Sequence, residues 1–213
     1  LYDKYHDYVK QLCDTQIEHF MQYVSLDTGV REHAEYIRDG LNYNRMHENV
    51  HRFLDKIPNR NSLTFIITMN NLSVLGIQQL LEWILSLRML YSKTYQRVWF
   101  DTPLLRSPTW QSLQILPPVY TTRLEGVVQW MELNMETPDK PFRGFKDYEV
   151  QRMRRCIDWM KEGSKLDTEY VKMQRADFYR FFNEYDKRRG TWFLNTFPQM
   201  KEFWDECRYH AHE

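Results

Sequence analysis

Three polar clusters each close a short apolar run. Ser25-Leu26-Asp27 follows residues 20–24, Asn70-Asn71 follows 63–69, and Asp101 follows 97–100. A hydroxyl, carboxamides and carboxylates at strand exits are groups that hold ligands in parallel α/β folds. Strand carboxyl ends there open into a crevice. The rhythm predicts a parallel α/β unit with a ligand site along one sheet edge, so the chain reads as part of an enzyme or a descendant of one. It holds no complete catalytic apparatus, and its catalytic residues stay unassigned. A Rossmann-like dinucleotide enzyme is the weakest reading, because no Gly-rich phosphate loop follows any of the runs.

The elements that position these groups follow from periodicity. Tyr5, Val9 and Leu12 recur at helical spacing over 2–13. Residues 20–24 read as a strand ending at Ser25. A helical region covers 32–54, with a break near Gly40, and Pro58-Asn59-Arg60-Asn61 ends it. Residues 63–69 are continuously apolar and rich in β-branched side chains, as expected of a strand buried on both faces. Ser73 is a candidate N-cap for a helix carrying Ile77, Leu80, Leu81, Ile84, Leu87 and Tyr91 on one face. Residues 97–101 supply the next strand.

Strand, helix, strand, helix, strand in this order makes parallel strands by crossover. Three strands alone leave two open edges. Another part of a longer chain, a partner subunit or covering helices must complete them.

Beyond Asp101 the character changes. Pro103, Pro108, Pro117 and Pro118 interrupt the chain, and a helix is expected over 122–133 and a loop over 134–146. Asp147 is read as the cap of a helix to about Lys161. Asp177 is read as the cap of another, with Phe178, Phe181, Phe182 and Tyr185 as its heavy face and Gly190 as its end. A short helix follows Pro198. The reading divides the chain into 1–116, an α/β half, and 117–213, a helical, aromatic-rich extension.

Composition removes several classes. Aromatics at 15% supply a substantial core, which argues against disorder. Lys+Arg and Asp+Glu both total 29, so nothing global points to nucleic acid or an anionic membrane. Cys13, Cys156 and Cys207 are odd in number and widely spaced, which fits neither a disulfide framework nor a compact zinc site. His210 and His212 fall in a tail expected to fray, and no metal ligand is assigned. Apolar stretches are too short to span a bilayer, and no signal peptide is evident. An intracellular, cytoplasmic compartment is the expectation. The chain opens on Leu1, which leaves processing and a fragment of a longer protein both open.

Several motifs, taken in order, resemble one family. Ser25-Leu26-Asp27, then Ala34-Glu35-Tyr36-Ile37-Arg38-Asp39-Gly40-Leu41, then Glu48-Asn49-Val50 resemble the middle of radical S-adenosylmethionine (radical SAM) enzymes. Residues 63–74 look like their next barrel strand. Residues 101–108 (Asp-Thr-Pro-Leu-Leu-Arg-Ser-Pro) and the tail 184–204 look like a subgroup found in bacteria and phages. The resemblance implies the second half of a partial (β/α)6 barrel followed by the helical extension. The family's Cys-x-x-x-Cys-x-x-Cys loop, which binds a 4Fe–4S cluster, is absent, and family topology places it ahead of Leu1. The chain therefore reads as the SAM- and substrate-binding half of such an enzyme, or as a degenerate member serving as a structural subunit.

The resemblance assigns Ser25 and Arg38 to the amino-acid end of SAM, a carboxylate that suits a guanidinium and a hydroxyl. A strand end and a surface ion pair are the bland alternatives. Asp27 either orients the site or caps the next turn. Asn70 and Asn71 share one ligand role and one turn role between them. Leu116 packs beside an adenine or in the core. Asp101 and Arg106 line a substrate pocket or form an ion pair. Lys187-Arg188-Arg189 is a basic patch or a complement to the helix dipole. The aromatic stretch from Phe178 to Trp204 is a partner surface, or core that covers one open side of the sheet.

Overall fold

A computed structural model describes residues 2–15, 17, 19–57 and 61–213. The expected chain break at Pro58-Asn59-Arg60 lies outside the described residues. Helix α1 (Tyr2–Cys13) leads to β1 (Met21–Ser25), α2 (Arg31–Ile37) and α3 (Tyr43–Lys56). Strand β2 (Ser62–Ile66), α4 (Ile77–Tyr91) and β3 (Val98–Asp101) follow. The strands form a parallel sheet in the order β1-β2-β3, within a chain that is mostly helical.

The expected 32–54 helix is two helices because Gly40 takes φ +77°, which breaks the ladder at little cost. The second strand is shorter than expected. Its ladder ends at Ile66, yet the chain stays extended: Ile67 N–H donates to Asp101 O (2.9 Å) and Met69 N–H to Pro103 O (2.8 Å).

Period-two alternation divides the sheet into two faces. Leu63 and Phe65 stand opposite Val98 and Phe100, and all four are buried. Helices α3 and α4 cover this face, with the Trp83 ring 5.2 Å from Phe65. The other face carries the rows Tyr23–Thr64–Trp99 and Ser25–Ile66–Asp101. Along β1 it is open: Met21, Tyr23 and Ser25 are exposed, Tyr23 at 57%.

The loop after β1 is pressed onto the start of α4. Gly29 N–H donates to Gly76 O at 2.9 Å. A Cβ on Gly29 would stand 2.3 Å from Leu80 N, and one on Gly76 would stand 1.9 Å from Thr28 Oγ1. Gly29→Ala must therefore push apart two backbones, and overpacking of this kind costs about 1–3 kcal/mol. A lowered urea midpoint with an unchanged m-value is the expected reading.

The second half contains α5 (Pro118–Leu133), α6 (Asp147–Glu162), α7 (Thr168–Arg189), α8 (Phe193–Thr196) and α9 (Lys201–His212). Helix α5 begins four residues earlier than expected, because Pro118 occupies N1, where a missing N–H costs nothing. Asp177 is not a cap. Helix α7 runs through it from the true cap, Asp167, whose carboxylate accepts from Tyr170 N–H at 2.9 Å. Lys146, not Asp147, is the N-cap of α6, and Glu149 accepts from its backbone N–H.

Gly190 ends α7 in the left-handed region, φ +64°. The tail does not fray: α9 reaches His212, and His210 bonds Glu213 at 3.0 Å. Phe178, Phe182, Phe193, Phe197 and Phe203 are buried in an apolar core that also includes the sheet side chains. All three cysteines are free thiols. No helix among the described residues is long and apolar enough to cross a membrane.

Candidate functional site

Two of the sequence-derived candidates meet directly. Asp27 lies just past β1, with its carboxylate almost fully buried. Oδ1 accepts from Thr68 N–H at 3.0 Å, and Oδ2 meets Arg38 Nη2 at 2.9 Å. Arg38 is the C-cap of α2, so a strand end and a helix end converge. Burial raises the Asp27 pKa; the Arg38 charge and the Thr68 bond oppose that rise without cancelling it.

Arg38 remains a third exposed, yet its Nε is buried and no group among the described residues bonds it. A guanidinium with one edge on Asp27 can donate from its remaining N–H groups to an anionic oxygen.

Asp27, Arg38 and Asn70 line one cavity of about 290 Å3 at the carboxyl ends of β1 and β2. Asn70, not Asn71, is the turn residue. Its Oδ1 accepts from Leu72 N–H (2.9 Å) and Ser73 N–H (3.0 Å), and its Nδ2 donates to Thr68 O (3.0 Å). Ser73 consequently is not an N-cap; it opens a 3-10 turn, and its hydroxyl donates to Asn70 O at 2.7 Å. Asn71 is buried and ties in the turn at residues 109–111, donating from Nδ2 to Trp110 O at 2.9 Å.

The far wall comes from α7, through Phe181, Phe182 and Tyr185. The sequence pattern marked that stripe as core. Phe182 is buried, whereas Phe181 is 41% exposed and stacks against Trp110 at 4.3 Å. Two anchors hold α7 in place. Tyr36 of α2 donates its hydroxyl to Asp186 Oδ1 (2.8 Å), and Asp186 also accepts from Thr191 Oγ1 and Phe193 N–H (both 2.6 Å). Burial and the Asp186 carboxylate push the Tyr36 phenol far up, so it stays a donor. Tyr185 Oη and Arg189 Nη1 both donate to Tyr36 O, at 2.6 and 2.8 Å.

Arg189 also pairs with Asp39 at 2.8 Å, and Arg188 with Glu184 at 2.8 Å. Of the basic triplet, Arg189 ties α7 to α2, while Arg188 makes an exposed pair within α7.

Other candidates fall elsewhere. Ser25 is exposed on the open sheet face and does not line the cavity. Leu116 is buried at the edge of a second cavity of about 710 Å3, between α5, α7 and α9. Asp101 pairs with Arg152 at 2.9 Å rather than with Arg106, whose guanidinium lies 5.6 Å from the Trp159 ring centre.

Sequence reasoning missed Thr68, Leu105 and Gln111, which also line the cavity. Thr68 lies inside the apolar run, and only its backbone N–H reveals its part. The described residues contain no group of three or more His, Cys, Asp or Glu side chains able to hold a metal ion.

Compared with family models, curated proteins and solved structures, the chain matches none of them.

Proposed function

We propose that this chain is the SAM- and substrate-binding half of a radical SAM enzyme, the second half of a partial (β/α)6 barrel. The observation that carries the reading is the convergence of Asp27 and Arg38 on a cavity at the strand exits, where Arg38 stays a third exposed. A carboxylate such as that of SAM's amino-acid end would take the solvent-facing N–H groups of Arg38 without displacing Asp27. The open face and edge at β1 suit strands contributed from outside the described residues, which would bring Ser25 into an interior.

The cluster is a different matter. Cys156 and Cys207 are buried, with burial pushing the Cys156 thiol up to about 12 and raising that of Cys207 as well. These cysteines do not fit a 4Fe–4S centre, which needs several thiolates converging on one site. In the proposed enzyme the cluster loop belongs to a preceding segment. When bound there, the cluster would supply the electron that cleaves SAM to a 5′-deoxyadenosyl radical. This chain's residues bind and orient: Arg38 holds the anionic end, Asp27 fixes Arg38, and Phe181 and Tyr185 line the α7 wall of the cavity.

The test starts with the intact mass and iron content of the polypeptide from its natural source. Calorimetry with SAM follows, then an assay for 5′-deoxyadenosine under reducing conditions. Iron, SAM binding and 5′-deoxyadenosine are expected, with binding weakened at least tenfold in the Ser25→Ala/Arg38→Ala double variant. A natural polypeptide without iron that binds no SAM overturns the reading and leaves the structural-subunit alternative. Unchanged binding in the double variant removes these two residues from the site.

A further inference from the structure

Away from that cavity, the outer face of α3 presents His47 and His51 four residues apart, stacked one turn above the other. Their ring centres are 4.9 Å apart. Two imidazoles on one ion, each bound at about 2.0–2.1 Å through nitrogen, place their ring centres roughly 4.5–5.2 Å apart for angles between square and tetrahedral.

Both rings are held from behind. His47 lies flat on the Trp83 indole of α4, 4.3 Å between centres and 14° between planes. His51 Nδ1 is 3.0 Å from the Tyr91 hydroxyl. In the tautomer protonated at Nδ1, Nδ1–H donates to the Tyr91 oxygen and Nε2 keeps its lone pair for a metal. Orienting an imidazole through its other nitrogen is how proteins prepare a metal ligand. Both histidines are only partly buried, and neither His47 nitrogen nor His51 Nε2 is among the buried unbonded atoms.

We propose that His47 and His51 chelate one divalent transition-metal ion of the zinc, nickel or copper class, with water filling the remaining positions. Nitrogen ligands without thiolate favour these ions over magnesium or calcium. The site is independent of the SAM reading, since it lies on the helical layer and shares no residue with the strand-exit cavity.

Calorimetric titration of the whole protein with Zn2+ in a non-chelating buffer tests it. One site is expected, at least tenfold weaker in His47→Ala and in His51→Ala. Tyr91→Phe removes the acceptor behind Nδ1 and is expected to cost about tenfold. Titration with Cu2+ should quench part of the tryptophan emission in the parent and not in Trp83→Phe, which still binds Zn2+. Should an alanine variant lose its fold by circular dichroism, His47→Phe keeps an aromatic ring on Trp83 and removes both nitrogens. A parent protein that binds no Zn2+, or His47 and His51 variants that bind it as the parent does, overturns the proposal.

Discussion

Replacing Glu149 with alanine lowers the stability of the fold by about 3–5 kcal/mol, the cost of leaving a buried charge without its partner. Glu149 and Arg88 are both fully buried and form a two-point pair, Nη1 to Oε2 at 3.0 Å and Nη2 to Oε1 at 2.6 Å. Among the described residues, Arg88 forms an ion pair only with Glu149. Its remaining donors go to Val98 O at 2.9 Å and Gly144 O at 2.7 Å, and its guanidinium lies 5.6 and 5.9 Å from the ring centres of Phe100 and Phe145.

The pair therefore joins α4, β3, the loop before α6, and α6 itself. Glu149 also accepts from Lys146 N–H at 3.0 Å, so its loss uncaps α6 as well. Marginal folds hold about 5–15 kcal/mol in total, so urea denaturation should register the change as a large fall in midpoint. Arg88→Met with Glu149→Met removes both charges together and should cost much less than the two single changes summed. Additive single and double variants would show that the two charges do not act as a pair.

This pair marks where sequence reading stops. The stripe Ile77, Leu80, Leu81, Ile84 and Leu87 gave α4 its inward face, but Arg88 next to it reads as a solvated cation. Nothing local links it to Glu149 across 61 positions. The strands were legible because apolar runs and β-branching are local, and the polar residues at their exits follow from the parallel topology. Asp27 and Asn70 were placed at strand exits on that basis and Arg38 by the family resemblance, and the three line one cavity. What one strand exit does to its own residue was not legible. Alternation puts Ser25 on the open face while Asp27, two residues on, turns inward under Thr68.

Asp177 and Asp167 differ for a similar reason. Either aspartate can cap a helix, and the choice rests on whether the preceding residues 168–176 are themselves helical. Phe181 shows the limit of the heavy-face rule. A stripe too wide for the core leaves Phe181 exposed at the cavity, and the anchoring of α7 to Tyr36 sets that rotation.

The second large effect is expected at Arg38, and it depends on pH. In the parent, burial raises the folded pKa of Asp27 above its usual value in spite of Arg38 and Thr68. Folding therefore takes up a proton at Asp27. Stability from this group is fully present below its unfolded pKa, about 3.9, and is lost as pH rises through the raised folded value. Arg38→Ala removes the chief opposing charge, so the folded pKa rises further and the loss widens.

The variant should match the parent near pH 3.5 and fall below it by about 2 kcal/mol at pH 7. This is less than a fully buried pair would cost, because solvent reaches a third of the Arg38 side chain. Asp27→Asn should instead flatten the stability profile between pH 4 and pH 7, since the carboxamide has no proton to take up, and Thr68 N–H can still donate to its oxygen. Urea midpoints at several pH values for the three proteins check this. A parallel offset of the Arg38→Ala curve at every pH would mean that the guanidinium acts through packing alone. The same outcome would weaken the case that Arg38 awaits an anion, because a side chain indifferent to the charge beside it makes a poor receptor for a carboxylate.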